Sequence, residues 1–368
     1  MAGRTPLYPL RFREILRDYR FGDRWIARHF RKSDLPEDHR LAETWEVCDR
    51  PGESSEVING PMAGRSLHEL IEQYGADLLG GEIVERFGAR FPLLIKFLDA
   101  SHVLGEQVHH DDRLARRRGI PDSGKTEAWY ILETRPGARM ACGNRPGVDR
   151  AAVERAVLNG DAVACMRPYH PRPGDAFLLY AGLMHYAAGG MLFYEIMQNS
   201  DVWIGLGRPP DALSPEQRRR AAADAVEAVH LEDDIDCRTR PVTVRLGRSH
   251  RMWVLACEHF ALERLDLAEP CEIRRDGRRF RVLSQIAGNA RVRSEGFTAS
   301  LAPGVSLLLP ACLGRVQIEP EGPASLLLAY VPDLLRDVIE PLRAGGFDDA
   351  SILALGGRTR LNPLRNLL

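Results

Sequence analysis

The sequence contains no long apolar run. No stretch approaches the roughly 18 consecutive apolar residues that a membrane-spanning helix requires. The first residues, Met-Ala-Gly-Arg-Thr, do not lead into the apolar segment of a signal peptide. We therefore predict a cytoplasmic protein that has no membrane partner.

The chain also has almost no net charge, because 50 lysines and arginines are balanced by 51 aspartates and glutamates, for a net of −1. Nucleic-acid-binding proteins usually carry a clear positive excess, so we predict no nucleic-acid partner. A local concentration of positive charge comprises Arg113 and the arginines at 116–118. This cluster is either a solvated helix face or a lid over an anionic ligand, and we favour the helix face.

Cysteines in metal-site or redox spacing are absent as well. The seven cysteines are an odd number, and no two are spaced as Cys-x-x-Cys. A disulfide framework is usually built from an even number of cysteines in a short secreted chain. We therefore predict reduced thiols.

What the sequence does contain is a large supply of core residues in short runs. At 368 residues, 44% of them hydrophobic, the chain is long enough for two or three packed units. Short apolar runs between glycine- and proline-rich turns are typical of all-β barrels. In the second half the predicted strands are residues 253–256, 260–265, 279–287, 305–309 and 324–330.

Three helices carry clear start signals. Ser66 with Glu69, and Ser214 with Gln217, match the capping box, in which a serine and an acid or amide three residues later satisfy free backbone amides. Asp149 is a third predicted cap, for a helix over 150–158. The helix that starts after Ser214 is predicted to run to about residue 229 and to link two strand-rich regions.

Four potential metal ligands stand on separate strand-like segments. Gln107 and His109 are two residues apart, so on a strand their side chains point to the same face. Glu127 begins a second strand-like run, and His185 follows a third. A lone Gln-x-His is common and means little, but an amide oxygen, a carboxylate and two imidazoles together suit zinc or another first-row metal.

The sequence around these residues resembles that of the type I mannose-6-phosphate isomerases, which are zinc enzymes built on cupin barrels. The resemblance runs nearly from end to end of the chain. It is carried by TWEV at 44–47, VINGP at 57–61, FPLLIKFLDA at 91–100, QVHHDD at 107–112, GKTEAWY at 124–130, GLMH at 182–185 and EIMQNSD at 195–201.

The resemblance implies a mainly β protein with two cupin (jelly-roll) barrels and a helical segment. Residues 1–90 would pack on the first barrel and contribute strands to it, and 91–205 would form its metal-bearing core. Residues 206–240 would form a helical linker, and 241–368 a metal-free C-terminal barrel with a tail. The sequence gives no signal for an oligomeric state.

The resemblance also implies roles for individual residues. Gln107, His109, Glu127 and His185 match the ligands of one zinc ion per chain. Glu195 matches an acidic residue that moves protons, although a structural ion pair is the other interpretation of this glutamate. Lys125 matches a lysine that faces the substrate phosphate, and Lys96 matches a second lysine in the pocket, where the partner is a sugar or sugar phosphate.

Three positions depart from the family pattern. Gly105 stands where the family has a serine that helps to hold the phosphate, and Gly205 where it has a catalytic arginine. Arg208, three residues beyond Gly205, is a candidate to replace that arginine. His110 stands in place of a proline and is either an added ligand or, as we favour, a surface residue.

These observations leave three functions open. The first is a zinc-dependent aldose–ketose isomerase that interconverts mannose 6-phosphate and fructose 6-phosphate, or a related sugar, through a cis-enediol. The second is an isomerase or epimerase for a modified or non-phosphorylated sugar. The third is a catalytically impaired zinc-binding sugar sensor. A cupin oxygenase is disfavoured, because such sites prefer His-x-His to Gln-x-His.

Overall fold

The computed structural model describes residues 4–31, 40–207, 213–274 and 277–368. The chain is mainly β, as predicted, with most strands gathered in four sheets of four to seven strands. We number the strands and helices of this part of the chain in sequence order.

The strands up to residue 205 are β1 (Leu10–Arg11), β2 (Ile15–Arg17), β3 (Glu43–Val47), β4 (Asp49–Arg50), β5 (Glu53–Ser54), β6 (Leu93–Ala100), β7 (Leu104–Val108), β8 (Glu127–Thr134), β9 (Arg139–Asn144), β10 (Met166–Tyr169), β11 (Ala176–Leu179), β12 (His185–Ala188), β13 (Met191–Gln198) and β14 (Ile204–Gly205). The later strands are β15 (Val242–Leu246), β16 (Ser249–Ala256), β17 (Ala261–Leu267), β18 (Cys271–Arg274), β19 (Arg281–Ala287), β20 (Ala290–Ser294), β21 (Phe297–Leu301), β22 (Ser306–Leu309), β23 (Arg315–Pro320) and β24 (Ala324–Tyr330).

The α-helices are α1 (Trp25–Phe30), α2 (Leu67–Tyr74), α3 (Ala76–Leu79), α4 (Gly81–Phe87), α5 (Asp112–Arg118), α6 (Arg150–Asn159), α7 (Pro215–Ala228), α8 (Glu340–Ala344) and α9 (Asp349–Leu353). Short 3-10 turns occupy Gly60–Met62, Ala162–Cys165, Ala354–Gly356 and Pro363–Asn366, and a π-helical segment, Leu335–Ile339, precedes α8.

The first half of the chain forms two antiparallel sheets. One has six strands in the order β11-β8-β13-β6-β3-β2, and the other has five in the order β10-β9-β12-β7-β14. All eight residues of β6 and of β13 are buried. Strands covered on both faces need apolar residues at nearly every position, which explains the apolar runs that the sequence shows there.

The second half repeats this arrangement with a seven-stranded sheet, β1-β22-β19-β24-β17-β16-β15, and a four-stranded sheet, β18-β23-β20-β21. The five strands predicted there are confirmed, four of them to within two residues at each end, while β16 begins four residues before its predicted start. The N-terminal segment divides between the halves, because β2 and β3 extend the six-stranded sheet while β1 pairs with β22, Leu10 opposite Leu308.

Side chains of the two halves pack against one another. Phe91 and Phe280 stack with their ring centroids 4.8 Å apart, and Arg264 donates a hydrogen bond of 2.7 Å to the Tyr130 hydroxyl. One hydrophobic cluster contains core residues from both halves. The domain boundaries at 90, 205 and 240 stay a prediction, since a shared core offers no clear place to divide the chain.

The predicted helix caps are confirmed. Both capping boxes are present, at Ser66 and at Ser214, and the Asp149 side chain accepts from the amide of Ala152. Helix α7 packs on α6, and Arg118 of α5 pairs with Asp224 of α7 at 3.4 Å. The arginines of α5 therefore form the outer face of a helix pair, as favoured above. No helix in the described ranges is both long and apolar enough to cross a bilayer.

Candidate metal centre

Three of the four predicted ligands meet between the two sheets of the first half. His109 follows the last residue of β7, while Glu127 and His185 begin β8 and β12. Their ligating atoms all lie within 4.8 Å of one another. The carboxylate thus comes from the six-stranded sheet, one imidazole from the five-stranded sheet and the other from the residue that follows a strand of that sheet, and all three side chains are buried.

The geometry directs lone pairs into one small space. The Nε2 atoms of His109 and His185 lie 3.3 and 3.2 Å from the two carboxylate oxygens of Glu127. The Nδ1 of His185 lies 2.9 Å from the carbonyl oxygen of Leu183. A carbonyl only accepts, so Nδ1 carries the proton and donates, and Nε2 keeps its lone pair for a ligand.

These atoms are buried without hydrogen-bond partners. In the described structure, both ring nitrogens of His109, both oxygens of Glu127 and Nε2 of His185 make no hydrogen bond, although the Glu127 oxygens lie 3.2–3.3 Å from the two imidazoles and the Lys125 ammonium. Each of the three ligand side chains is about 1% exposed. Buried polar atoms are almost always paired, and an exception calls for an explanation such as an ion. Two imidazoles and one carboxylate are a suitable donor set for a divalent first-row metal.

The electrostatics favour ligands that are ready to bind. Burial lowers the pKa of His109, and the Lys125 ammonium lowers it further, to about 3. Burial alone would raise the pKa of Glu127, but Lys125, whose Nζ lies 3.3 Å from its Oε2, helps to hold that pKa well below its usual range. At neutral pH His109 is therefore neutral and Glu127 ionised, which are the forms that coordinate metals.

Gln107 lies beside this cluster. It is opposite His185 in the register of β7 and β12. Directly opposed residues of antiparallel strands project from the same face of a sheet. The predicted fourth ligand is thus on the ligand-bearing face.

A second buried group of charges lies along the same six-stranded sheet. Lys96 of β6 is opposite Trp45 of β3 on one side and Glu195 of β13 on the other, and Glu195 is in turn opposite Trp129 of β8. The Lys96 ammonium lies 3.2 Å from Glu43 and 3.3 Å from Glu195. Four neighbouring strands therefore place one lysine between two buried carboxylates.

The two indoles fix the orientation of these carboxylates. Trp129 Nε1 donates to Oε1 of Glu195 at 2.8 Å, and Trp45 Nε1 donates to Oε2 of Glu43 at 2.6 Å. Burial raises the pKa of Glu195, although the ammonium of Lys96 opposes that rise. Burial would lower the pKa of Lys96, but Glu43 and Glu195 outweigh it and raise that pKa.

Removing the lysine should destabilise the fold. In Lys96→Met, two buried carboxylates lose their only shared cation, and we expect the free energy of unfolding to fall by about 3–5 kcal/mol. Part of this loss should be recovered as the pH falls. An acid with a raised folded-state pKa binds more protons folded than unfolded, so protonation favours the folded state. Urea unfolding at pH 8 and pH 5 measures both effects.

Arg293→Met is the matched control for that experiment. Arg293 pairs with Glu319 at 2.8 Å on the surface, and both side chains are substantially exposed. A surface pair typically contributes less than about 1 kcal/mol. Equal losses in the two variants, or a Lys96→Met loss that grows at pH 5, would contradict the interpretation of Lys96 as a buried counter-ion.

Residues 198–201, the sequence QNSD, position the beginning of β8, the strand that carries Glu127. The side-chain oxygen of Gln198 accepts from the amide of Thr126 at 2.9 Å, directly before Glu127. The side-chain amide of Asn199 donates to the carbonyls of Asp49 and Phe91 at 2.7 and 2.9 Å. These bonds fix the end of β13 relative to the beginning of β8.

The two glycines that differ from the family pattern, Gly105 and Gly205, have different surroundings. A Cβ on Gly105 would meet nothing within 4 Å, whereas one on Gly205 would lie 3.1 Å from the indole of Trp203. Arg208, the candidate replacement for the missing arginine, lies outside the described residues.

The favoured interpretation of His110 as a surface residue was wrong, because its side chain is fully buried and neither ring nitrogen has a hydrogen-bond partner in the described structure. Its carbonyl accepts from the amide of Lys125, which holds this segment against the second motif.

Sequence reasoning missed Glu43 and Trp129 as parts of the site. Glu43 and Trp45 are two residues apart on β3, and that spacing could have indicated that their side chains share a face. The rarity of lysine was a further signal, since the chain has three lysines and two of them, Lys96 and Lys125, lie here.

Comparison with known families finds matches in both halves of the chain. Residues 10–131 match the model described as "Phosphomannose isomerase type I, catalytic domain", and residues 250–330 match "Mannose-6-phosphate isomerase, cupin domain". The protein named "Putative mannose-6-phosphate isomerase YvyI" from Bacillus subtilis strain 168 is 30% identical over 293 residues, which cover 78% of this chain and 89% of that protein. Mannose-6-phosphate isomerase ManA of the same strain is 27% identical over 288 residues, covering 76% and 87%.

Solved structures extend the likeness to the fold. The crystal structure of mannose 6-phosphate isomerase from Bacillus subtilis superposes with a TM-score of 0.74 at 27% identity, covering 87% of this chain and 99% of that one. A variant of phosphomannose isomerase from Salmonella typhimurium shares the fold at 19% identity, with a TM-score of 0.72 over 88% of this chain and 99% of that one. This chain therefore belongs to the type I mannose-6-phosphate isomerases, a family of isomerases that contains the cupin fold.

Proposed function

We propose that the protein is a zinc-dependent aldose–ketose isomerase that interconverts mannose 6-phosphate and fructose 6-phosphate, or a related sugar. The observation that carries the proposal is the buried cluster of His109, Glu127 and His185, with unpaired lone pairs that converge between two sheets. Gln107, on the same face, is the proposed fourth ligand, and one zinc ion per chain is expected.

The reaction moves a proton between C1 and C2 of the sugar through a cis-enediol. The zinc ion, when bound, supplies Lewis-acid stabilisation of the negative charge that develops on the sugar oxygens. Glu195 is the proposed base. Its Oε1 is held by the Trp129 indole, while Oε2, which lies 3.3 Å from the Lys96 ammonium, is the oxygen proposed to take and return the proton.

The two lysines have supporting roles in this proposal. Lys96 lies 3.3 Å from Oε2 of Glu195 and limits how far burial can raise the pKa of that carboxyl. A base with a moderately raised pKa is better matched to proton transfer near neutral pH. Lys125 contacts Glu127 and is the proposed donor to a hydroxyl or phosphate of the substrate.

A second candidate is favoured by Gly105 and Gly205. These glycines stand where the family pattern has a phosphate-binding serine and a catalytic arginine, so the substrate of this chain is a non-phosphorylated or modified sugar in this alternative. A zinc-binding sugar sensor is the third possibility. An NMR screen of sugars and sugar phosphates with added zinc separates the three, because the sensor would convert no aldose or ketose while its zinc is bound.

Restoring both side chains tests the first candidate against the second. The Cβ of Gly105→Ser meets open space, and the Cβ of Gly205→Arg meets only the ring of the exposed Trp203 within 4 Å in the described structure. Each restored hydrogen bond to a charged group is worth about 1.5–3 kcal/mol, so kcat/KM for mannose 6-phosphate should rise by at least about tenfold. Gly314→Ser, which also meets open space, is the control. If kcat/KM for mannose 6-phosphate does not rise in the double variant, the loss of these two side chains is not what limits activity on the phosphorylated sugar.

A further inference from the structure

One edge of the site carries a row of residues that the proposed chemistry does not use. Strand β14 lies at the edge of the five-stranded sheet, next to β7, and Gly205 is opposite Gln107. Gln107 is opposite His185 on its other side. Opposed residues of antiparallel strands share a face. A side chain at position 205 would therefore project from the face that carries the metal ligands.

The space at position 205 is covered by an indole. Trp203 precedes β14, and its Cζ3 lies 3.1 Å from the point that a Cβ of Gly205 would occupy. The chain has five tryptophans, all within the described residues, and Trp203 alone is largely exposed, at 64%. An exposed indole rests on the ligand-bearing face because the residue beside it has no side chain.

The two strand segments at this edge, residues 104–108 and 203–207, contain no lysine or arginine. Gly105 alternates with Gln107 along β7, so it lies on the same face, and nothing lies within 4 Å of the point its Cβ would occupy. Residues 104–108 and 203–207 include Glu106 as their only charged residue. These two segments offer an anionic group no cation, whereas an uncharged ligand meets a flat aromatic ring beside glycine backbone.

We propose that Trp203 is a specificity-determining residue whose indole stacks against the C–H face of the sugar, so that this edge of the site recognises an uncharged carbon skeleton. The inference rests on the proposed function for the identity of the ligand as a sugar. Ligand sites commonly combine aromatic surfaces with a few polar groups that fix orientation. A tryptophan offers the largest rigid apolar face of any side chain.

The kinetic test uses the full-length protein loaded with zinc and the aldose that it converts fastest. Trp203→Ala should raise KM about tenfold, equivalent to about 1.4 kcal/mol of binding, with kcat within twofold of the original, because stacking is made equally in the bound and reacting states. Trp203→Phe should recover part of the affinity. Leu246→Ala removes another exposed apolar side chain, in β15, and should leave both constants unchanged.

A fluorescence measurement keeps the inference separate from the proposed function. Acrylamide should quench the emission of Trp203, identified as the difference between the original protein and Trp203→Phe. The best aldose, or D-mannose if none is converted, should protect that emission at millimolar concentration.

Protection supports the inference even if no sugar is isomerised, a result that would refute the proposed function alone. The inference would be overturned if the protein turns over a sugar, the sugar does not protect the emission of Trp203, and Trp203→Ala leaves KM unchanged. The proposed function would then still stand. Absence of both turnover and protection would overturn both.

Discussion

Replacing His109 with alanine is expected to remove the metal and with it all isomerase activity. The purified original protein should contain close to one equivalent of zinc, and the variant less than about a tenth. The reason is the quality of the remaining donors, because the loss of His109 leaves a single imidazole, one carboxylate and the neutral amide oxygen of Gln107, which is a weaker donor set for zinc. Elemental analysis after reconstitution with zinc measures the content directly. Zinc should also raise the unfolding temperature of the original protein and not that of the variant.

The matched control is His250→Ala. His250 is an exposed residue of β16 in the second half of the chain, so its loss should change neither the zinc content nor the response to zinc. The prediction fails if the original protein binds less than a tenth of an equivalent of any transition metal after reconstitution. It also fails if both variants keep their metal.

Glu195→Gln is expected to lower kcat by about 10²–10⁴, the usual contribution of a positioned general base. The substitution keeps the shape of the side chain and an oxygen that can accept from Trp129, so the zinc content should not change. Exchange of the C2 proton of the substrate with solvent deuterium, followed by NMR, should be lost in parallel with turnover. Loss of exchange ties the effect to proton transfer rather than to folding.

Glu43→Gln is the control for this experiment, since Glu43 is the other buried carboxylate that faces Lys96. Both variants remove one charge from the same lysine, so a purely structural ion pair would make them equally active. If Glu195→Gln keeps the original rate of exchange, the carboxylate is a structural partner of Lys96 and the base lies elsewhere.

Much of the local structure followed from the sequence because its causes are local. The capping boxes at Ser66 and Ser214 satisfy backbone amides with side chains three residues away, so a short window contains the whole interaction. Five of the ten strands described in the second half were predicted from apolar runs and turn residues for the same reason, while β15, β18, β20, β21 and β23 were not predicted. The prediction of His109, Glu127 and His185 as neighbours rested on motif resemblance, and the structure brings them together.

Other features depended on strand order, which a sequence does not display. Lys96 lies between Glu43 and Glu195 because β6 lies between β3 and β13 in the sheet, although these strands are far apart in the chain. The burial of His110 depends on the contact of its segment with Lys125 from the next motif. In each case the partner is supplied by a distant segment, so no local pattern could indicate it.

The sequence by itself determined the family, the mainly β architecture, the helix caps and the residues able to bind a metal. The tertiary structure alone decided that β1 joins the sheet of the second half, which carboxylates share Lys96, and that Trp203 covers the space left by Gly205. The physical reason is the difference in range. Caps and alternation act over a few residues, whereas burial, charge pairing and the lining of a site arise from pairings between strands, which form only in the folded chain.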